Sequence, residues 1–250
     1  MSDGARLLLI GAGGLGSPLS LALAADPAVA AITLIDPDAV ELSNLHRQIL
    51  LSTTAIGEPK VMAAATLLQR RCSRLQQALP SLRITARAER LTADNSTALL
   101  RQHDLVIDGS DDLDTKFLVN DTACALAMPA LIGGIVRFAG QLQTIWPGAA
   151  CYRCLFEEPP PPGSAVSCQQ AGVLGPACGL VAGLMAHEAV AILQRRPRYA
   201  GAVLTLDLLR WQQRRIPLTR RPGCAACGAG PAIGPGSQDG RKIDSPAGPP

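Results

Sequence analysis

At 250 residues, 48% of them apolar, the chain is long enough to bury a sizeable core as one large α/β domain or two small ones. A formal charge of +3, with basic pairs scattered at Arg195-Arg196, Arg214-Arg215 and Arg220-Arg221, argues against a nucleic-acid-binding stripe and reads as solvated surface. The opening M-S-D-G-A-R has none of the features of an export signal, so a cytosolic location is expected, where eight cysteines point to metal binding or chemistry rather than to disulfides.

In chain order, residues 6–10 (R-L-L-L-I) read as a strand ending at G-A-G-G-L-G, and S-P-L-S-L-A-L-A-A has the composition of a helix opening. A second strand, A-I-T-L-I, closes on Asp36. The segment 52–79 reads as helix after Pro59, residues 82–87 as a third strand, and D-L-V-I-D (104–108) as a fourth, stopped by G-S-D-D. A helix over 116–127 precedes a fifth strand at 129–134. Strands alternating with helices predict an α/β, Rossmann-like, doubly wound and mostly parallel sheet. The pattern then changes: 140–146, 201–207 and 211–218 alternate with period two and predict antiparallel strands extending the same sheet. Between them lie the stiff connector E-E-P-P-P-P-G and an apolar helix over 177–194. The apolar run 171–186 is shorter than the ~20 residues of a membrane span and is expected to be buried in the protein. A Gly- and Pro-rich tail over 228–250 is expected to be disordered.

In G-A-G-G-L-G, Gly11 permits the tight strand-to-helix turn, Gly13 lets backbone N–H groups approach a phosphate, and Gly16 allows close helix packing. Asp36, at the end of the next strand, suits ribose hydroxyls. These features alone leave a nicotinamide dinucleotide and ATP both open. A triphosphate needs its charge neutralised by cationic side chains and Mg²⁺, and Arg47 and Lys60 follow the ribose aspartate, with Asn44 and Gln48 offering neutral hydrogen bonds beside them.

The runs G-A-G-G-L-G, D-P-D-A-V-E-L-S-N-L-H-R-Q, G-E-P-K and D-G-S-D-D together resemble the ThiF/MoeB/HesA family, the bacterial relatives of ubiquitin-activating enzymes. The resemblance extends from Leu7 to Gly228. It implies that the carboxylate of a ubiquitin-like sulfur carrier ending in Gly-Gly attacks the α-phosphate of ATP, within molybdopterin or thiamine biosynthesis. It further implies that Gly14 sits against the phosphates, that Asp36 holds the ribose, that Asn44, Arg47, Gln48 and Lys60 surround the triphosphate, and that Asp111 binds Mg²⁺. Asp112 stands where many relatives have asparagine, so its added charge bears on the Mg²⁺ site. Family members usually carry, on a helix before the first strand, an arginine that reaches the neighbouring subunit's ATP. That arginine has no counterpart here, so either the reading frame is shortened, a residue such as Arg6 substitutes in the homodimer that the resemblance implies, or ATP is activated less well.

C-Y-R-C (151–154) and C-A-A-C (224–227) can supply four thiolates to one tetrahedral Zn²⁺, leaving no open position, so Cys151, Cys154, Cys224 and Cys227 are expected to form a structural site. Cys168, before A-G-V, occupies the place where some relatives form an acyl thioester or disulfide with the carrier, a step that also calls for a sulfur donor. Cys72, Cys124 and Cys178, and the histidines His46, His103 and His187, are read as packing or surface residues. The expected organisation is one adenylating domain over 1–227, with a nucleotide-binding half (1–134) and a carrier-binding and zinc half (135–227).

Overall fold

The computed structural model of the protein describes residues 4–75, 82–161 and 171–228. Its strands are β1 (Ala5–Ile10), β2 (Val29–Ile35), β3 (Arg83–Arg87), β4 (Leu105–Asp108), β5 (Ala130–Val136), β6 (Ala139–Ile145), β7 (Ala202–Asp207) and β8 (Gln212–Pro217). They form one sheet in the order β3-β2-β1-β4-β5-β6-β7-β8. β1 to β5 run parallel, whereas β6, β7 and β8 are added antiparallel, as the change in periodicity predicts.

The central strands are apolar without interruption because both of their faces are covered. In β1, Leu7 and Leu9 pack into a layer with Leu19, Leu23, Leu68 and Met185. Leu8 and Ile10 point the other way, toward Leu99, Phe117 and Val119. Burial of each such side chain contributes about 1.5–3 kcal/mol.

The helices are α1 (Gly16–Ala24), α2 (Lys60–Leu75), α3 (Ala93–Leu100), α4 (Leu113–Ala125), α5 (Tyr152–Leu155) and α6 (Gly175–Leu193). In α2, Val61, Ala64, Ala65 and Leu68 are buried, the spacing of one helical face. Among the described residues, α6 is the helix long and apolar enough to cross a membrane. Its Val181, Ala182, Met185 and Ala189 are fully buried in the core instead, and it packs on α1, β5 and β6.

The sequence reading did not anticipate α3, which opens with a capping box: the Thr92 side chain accepts from the Asn95 backbone, and the Asn95 side chain from the Thr92 backbone. Of the expected tail over 228–250, Gly228 closes a turn, its nitrogen donating to the Cys224 carbonyl at 2.8 Å, and the rest lies outside the described residues, as does Cys168.

β1 leads on to β2 and β3 in one direction along the sheet, while β4 leads to β5 in the other. Between two such neighbours the following connections diverge and leave a crevice at their carboxyl ends. The glycine turn after β1 and the G-S-D-D turn after β4 therefore face the same opening.

Candidate active site and metal centre

The glycine turn is fixed by close contacts. Gly11 has φ +89°, and a Cβ on it would lie 3.0 Å from the Ser110 nitrogen, so the two turns at the switch point touch. A Cβ at Gly16 would fall 1.8 Å from the Gly11 carbonyl oxygen, which leaves room for glycine alone. Within α1, Ser17 donates to the Ala12 carbonyl at 3.0 Å and Ser20 to that of Gly16 at 2.7 Å, so small hydroxyl side chains replace bulk against the turn. A helix beginning there leaves N–H groups without intrahelical acceptors, the usual setting for a phosphate.

Asp36 closes β2 beneath this turn. Its carboxylate accepts from the Ala12 nitrogen at 2.8 Å and from the Asp38 nitrogen at 2.9 Å. Burial raises its pKa, offset in part by those backbone bonds and by the nearby Lys60. The Lys60 side chain is buried at the first residue of α2 and donates to the exposed Asp38 at 2.7 Å. Sequence reasoning missed Asp38, because an aspartate in D-P-D reads as an ordinary turn residue.

The segment S-N-L-H-R-Q lies across the mouth of the glycine turn. A Cβ at Gly14 would meet Cys178 Sγ at 3.0 Å and Arg47 Cδ at 3.2 Å, and one at Gly13 would meet Gln48 Nε2 at 3.5 Å. Arg47 is oriented by its bond to Asn44 Oδ1 at 2.9 Å. The first turn of α6 clamps this segment from outside, since a Cβ at Gly175 would sit 2.5 Å from the His46 carbonyl oxygen. His46 is a packing link, as expected, with Nε2 3.3 Å from the Val173 carbonyl. Gln48 is 2% exposed, and its Oε1 is buried without a hydrogen-bond partner. A glycine turn lined by Arg47 and Gln48, with an unsatisfied buried polar atom beside it, fits the polar groups of a nucleotide.

Asp111 is exposed, immediately after the carboxyl end of β4. The neighbouring Asp112 is engaged as the N-cap of α4, accepting from the Thr115 hydroxyl at 2.5 Å and backbone nitrogen at 3.3 Å, and it pairs with Arg90 at 3.6 Å. Arg6 binds Asp104 at 3.2 Å, at the opposite end of β1 from the crevice, and so does not serve the glycine turn of its own chain. Lys116 and Asp108, which the sequence reading did not single out, form a buried ion pair at 2.8 Å beneath the G-S-D-D turn.

The four cysteines of the two C-x-x-C pairs converge, with all their sulfurs within 4.8 Å of one another. Neighbouring sulfurs are 3.9, 3.6 and 3.5 Å apart, against ~3.8 Å for the edge of a tetrahedron with Zn–S bonds of ~2.3 Å. Four thiolates packed this closely would repel one another and call for a cation. The donor set fits Zn²⁺. The knuckle is tied to α4 through Tyr152, whose nitrogen donates to Asn120 Oδ1 at 2.8 Å, and through Arg153, which bonds both oxygens of Asp121 at 2.7 and 2.8 Å.

Fold and site together define a nucleotide-binding α/β protein in which a closed cysteine cluster is tied to α4 on one face of the sheet. More particularly, the chain belongs to the ThiF family, which it matches over residues 3–226. It is 40% identical over 234 residues to a sulfur carrier protein adenylyltransferase of Thermus thermophilus, covering 91% of this chain and 83% of that one. It is 41% identical over 233 residues to the adenylyltransferase and sulfurtransferase MOCS3 of Sus scrofa, covering 92% of this chain but only 49% of the relative. The fold is shared with Escherichia coli MccB in complex with ATP, at a TM-score of 0.75 and 21% identity, over 90% of this chain and 68% of that one.

Proposed function

We propose that the chain is an ATP-dependent adenylyltransferase that activates the C-terminal carboxylate of a small sulfur-carrier protein. The observation that carries this reading is the placement of Arg47, Gln48 and the glycine turn against one another, with Lys60 paired to Asp38 and close to Asp36 at the same end of the sheet. The names of the relatives in the ThiF family support it. A nicotinamide site leaves these cations without a task.

In the proposed reaction a carboxylate oxygen of the carrier bonds to the α-phosphorus of ATP as the bond from that phosphorus to the bridging oxygen of the β-phosphate breaks, releasing pyrophosphate. The protein supplies no nucleophile. Arg47 and Lys60 face the oxygens on which charge accumulates, where fixed cations stabilise the transition state more than the separated reactants. Asn44 orients Arg47, Asp36 takes the ribose, and Asp111 is the carboxylate that would hold Mg²⁺, which neutralises phosphate charge when bound. The cysteine cluster would hold Zn²⁺ in a structural role. A homodimer, a sulfur donor and a place in molybdopterin or thiamine biosynthesis belong to the same proposal. Because the chain spans about half the length of MOCS3, the sulfurtransferase activity in that name is not assigned to it.

Intact-mass spectrometry of a Gly-Gly-terminated carrier incubated with protein, ATP and Mg²⁺ tests the reading: an adduct of one AMP is expected, and an unmodified carrier contradicts it. Cys168 is the candidate thiol for a following step, in which its sulfur attacks the acyl carbonyl and AMP leaves. That step predicts a protein–carrier thioester that is lost in Cys168→Ser.

A further inference from the structure

We infer that Lys116 is a positioning residue for the metal-binding turn: its ammonium, paired with Asp108, holds the backbone that presents Asp111. This rests on the adenylyltransferase reading of the same site and extends it to a residue that touches no substrate.

Lys116 is 4% exposed and Asp108 fully buried, so neither charge is stabilised by water. All three ammonium protons are used, on Asp108 Oδ2 at 2.8 Å, the Ser110 carbonyl at 2.8 Å and the Gly133 carbonyl at 2.7 Å. The other carboxylate oxygen of Asp108 accepts from the Ser110 nitrogen at 3.0 Å and from its hydroxyl at 2.6 Å. Ser110 is therefore gripped at its nitrogen, its hydroxyl and its carbonyl, and the residue that follows it is Asp111. The same Ser110 backbone packs against Gly11. One buried ammonium thus links the end of β4 and the middle of β5 to the turn between β4 and α4. Its partners neutralise and saturate it, which leaves it no free proton for a phosphate.

Groups that fix a metal ligand typically change metal affinity by about 10- to 100-fold when removed. The test is binding of Mn²⁺ together with α,β-methylene ATP, followed by electron paramagnetic resonance, alongside nucleotide binding in EDTA and thermal melting. Lys116→Met is expected to weaken Mn²⁺-dependent binding by about tenfold or more while metal-free nucleotide binding stays near wild type. Lys116→Arg, which keeps a charged multiple donor, is expected to restore most of it. Should Lys116→Met fail to fold, Ser110→Ala, which removes only the hydroxyl bond to Asp108, is expected to show the same metal-specific weakening at smaller size. A folded Lys116→Met, or failing that a folded Ser110→Ala, that binds Mn²⁺ and nucleotide as wild type does overturns the inference alone. Wild-type protein that binds no Mn²⁺-nucleotide overturns the site reading beneath it.

Discussion

The Lys60 ammonium lies 2.7 Å from Asp38 Oδ2, with the lysine side chain buried and the aspartate open to solvent. Asp38 thereby holds a cation close to Asp36, the carboxylate proposed for the ribose. Lys60→Ala should lower the rate of acyl-adenylate formation by about 10²–10³-fold, the scale for removing one group that stabilises developing charge. Single-turnover kinetics at saturating ATP checks this. An unchanged rate would place Lys60 outside the reaction.

Gly16→Ala should destabilise the fold by more than about 4 kcal/mol, because its Cβ and the Gly11 carbonyl cannot occupy the same space without moving β1 or α1. Gly57 provides the control. It also has positive φ, +88°, but its Cβ would meet nothing within 4 Å, so alanine there incurs backbone strain alone. Urea unfolding of the two variants should separate them clearly.

Removing the metal should cost stability rather than chemistry. Cys224→Ser, or dialysis against a strong chelator, is expected to release one zinc per chain and lower the melting temperature by several degrees, since metal loss is among the large single-site effects. The link from the knuckle through Asn120 and Asp121 to α4 predicts earlier hydrogen exchange in that helix as well. Freshly purified, reduced protein without zinc would contradict the assignment.

His103 gives a pH signature. Its ring bridges the Leu99 carbonyl and Thr33 Oγ1, both at 2.8 Å, and burial lowers its pKa below the usual histidine value, against an opposing pull from Leu99. The folded protein therefore favours the neutral ring. The contribution to stability is present above the unfolded pKa of about 6.5 and is lost as pH falls through the lower folded value. Stability should drop between pH 7 and 5, and His103→Asn should flatten that slope. Asp104, whose pKa is lowered through its bonds to Arg6 despite burial, loses its contribution at more acidic pH and leaves this window clear.

Much of this architecture is legible in the sequence because local and tertiary signals agree there. R-L-L-L-I before G-A-G-G-L-G can be little other than a buried parallel strand entering a tight turn, and the period-two pattern of 140–146 and 201–207 marks the antiparallel addition. The convergence of the four cysteines follows from their pairing. Other features carry no such signal. Residues 93–100, A-D-N-S-T-A-L-L, form too short and polar a helix to show periodicity, and only the Thr92–Asn95 box marks its start. Lys116, at the start of the expected helix 116–127, carries no sequence signal of burial, which arises only when the turn after β4 and the strand β5 close on it. Asp112 reads as a possible companion of Asp111, whereas its side chain is committed to capping α4.

Carrier-dependent exchange of pyrophosphate into ATP tests the central claim most directly, because it requires reversible displacement of pyrophosphate by a carboxylate and nothing downstream. Exchange is expected with a carrier ending in Gly-Gly, none with the same carrier lacking its last glycine, and almost none in Asp111→Ala. Absence of exchange with every Gly-Gly carrier tried, or near-normal exchange in Asp111→Ala, would contradict the account.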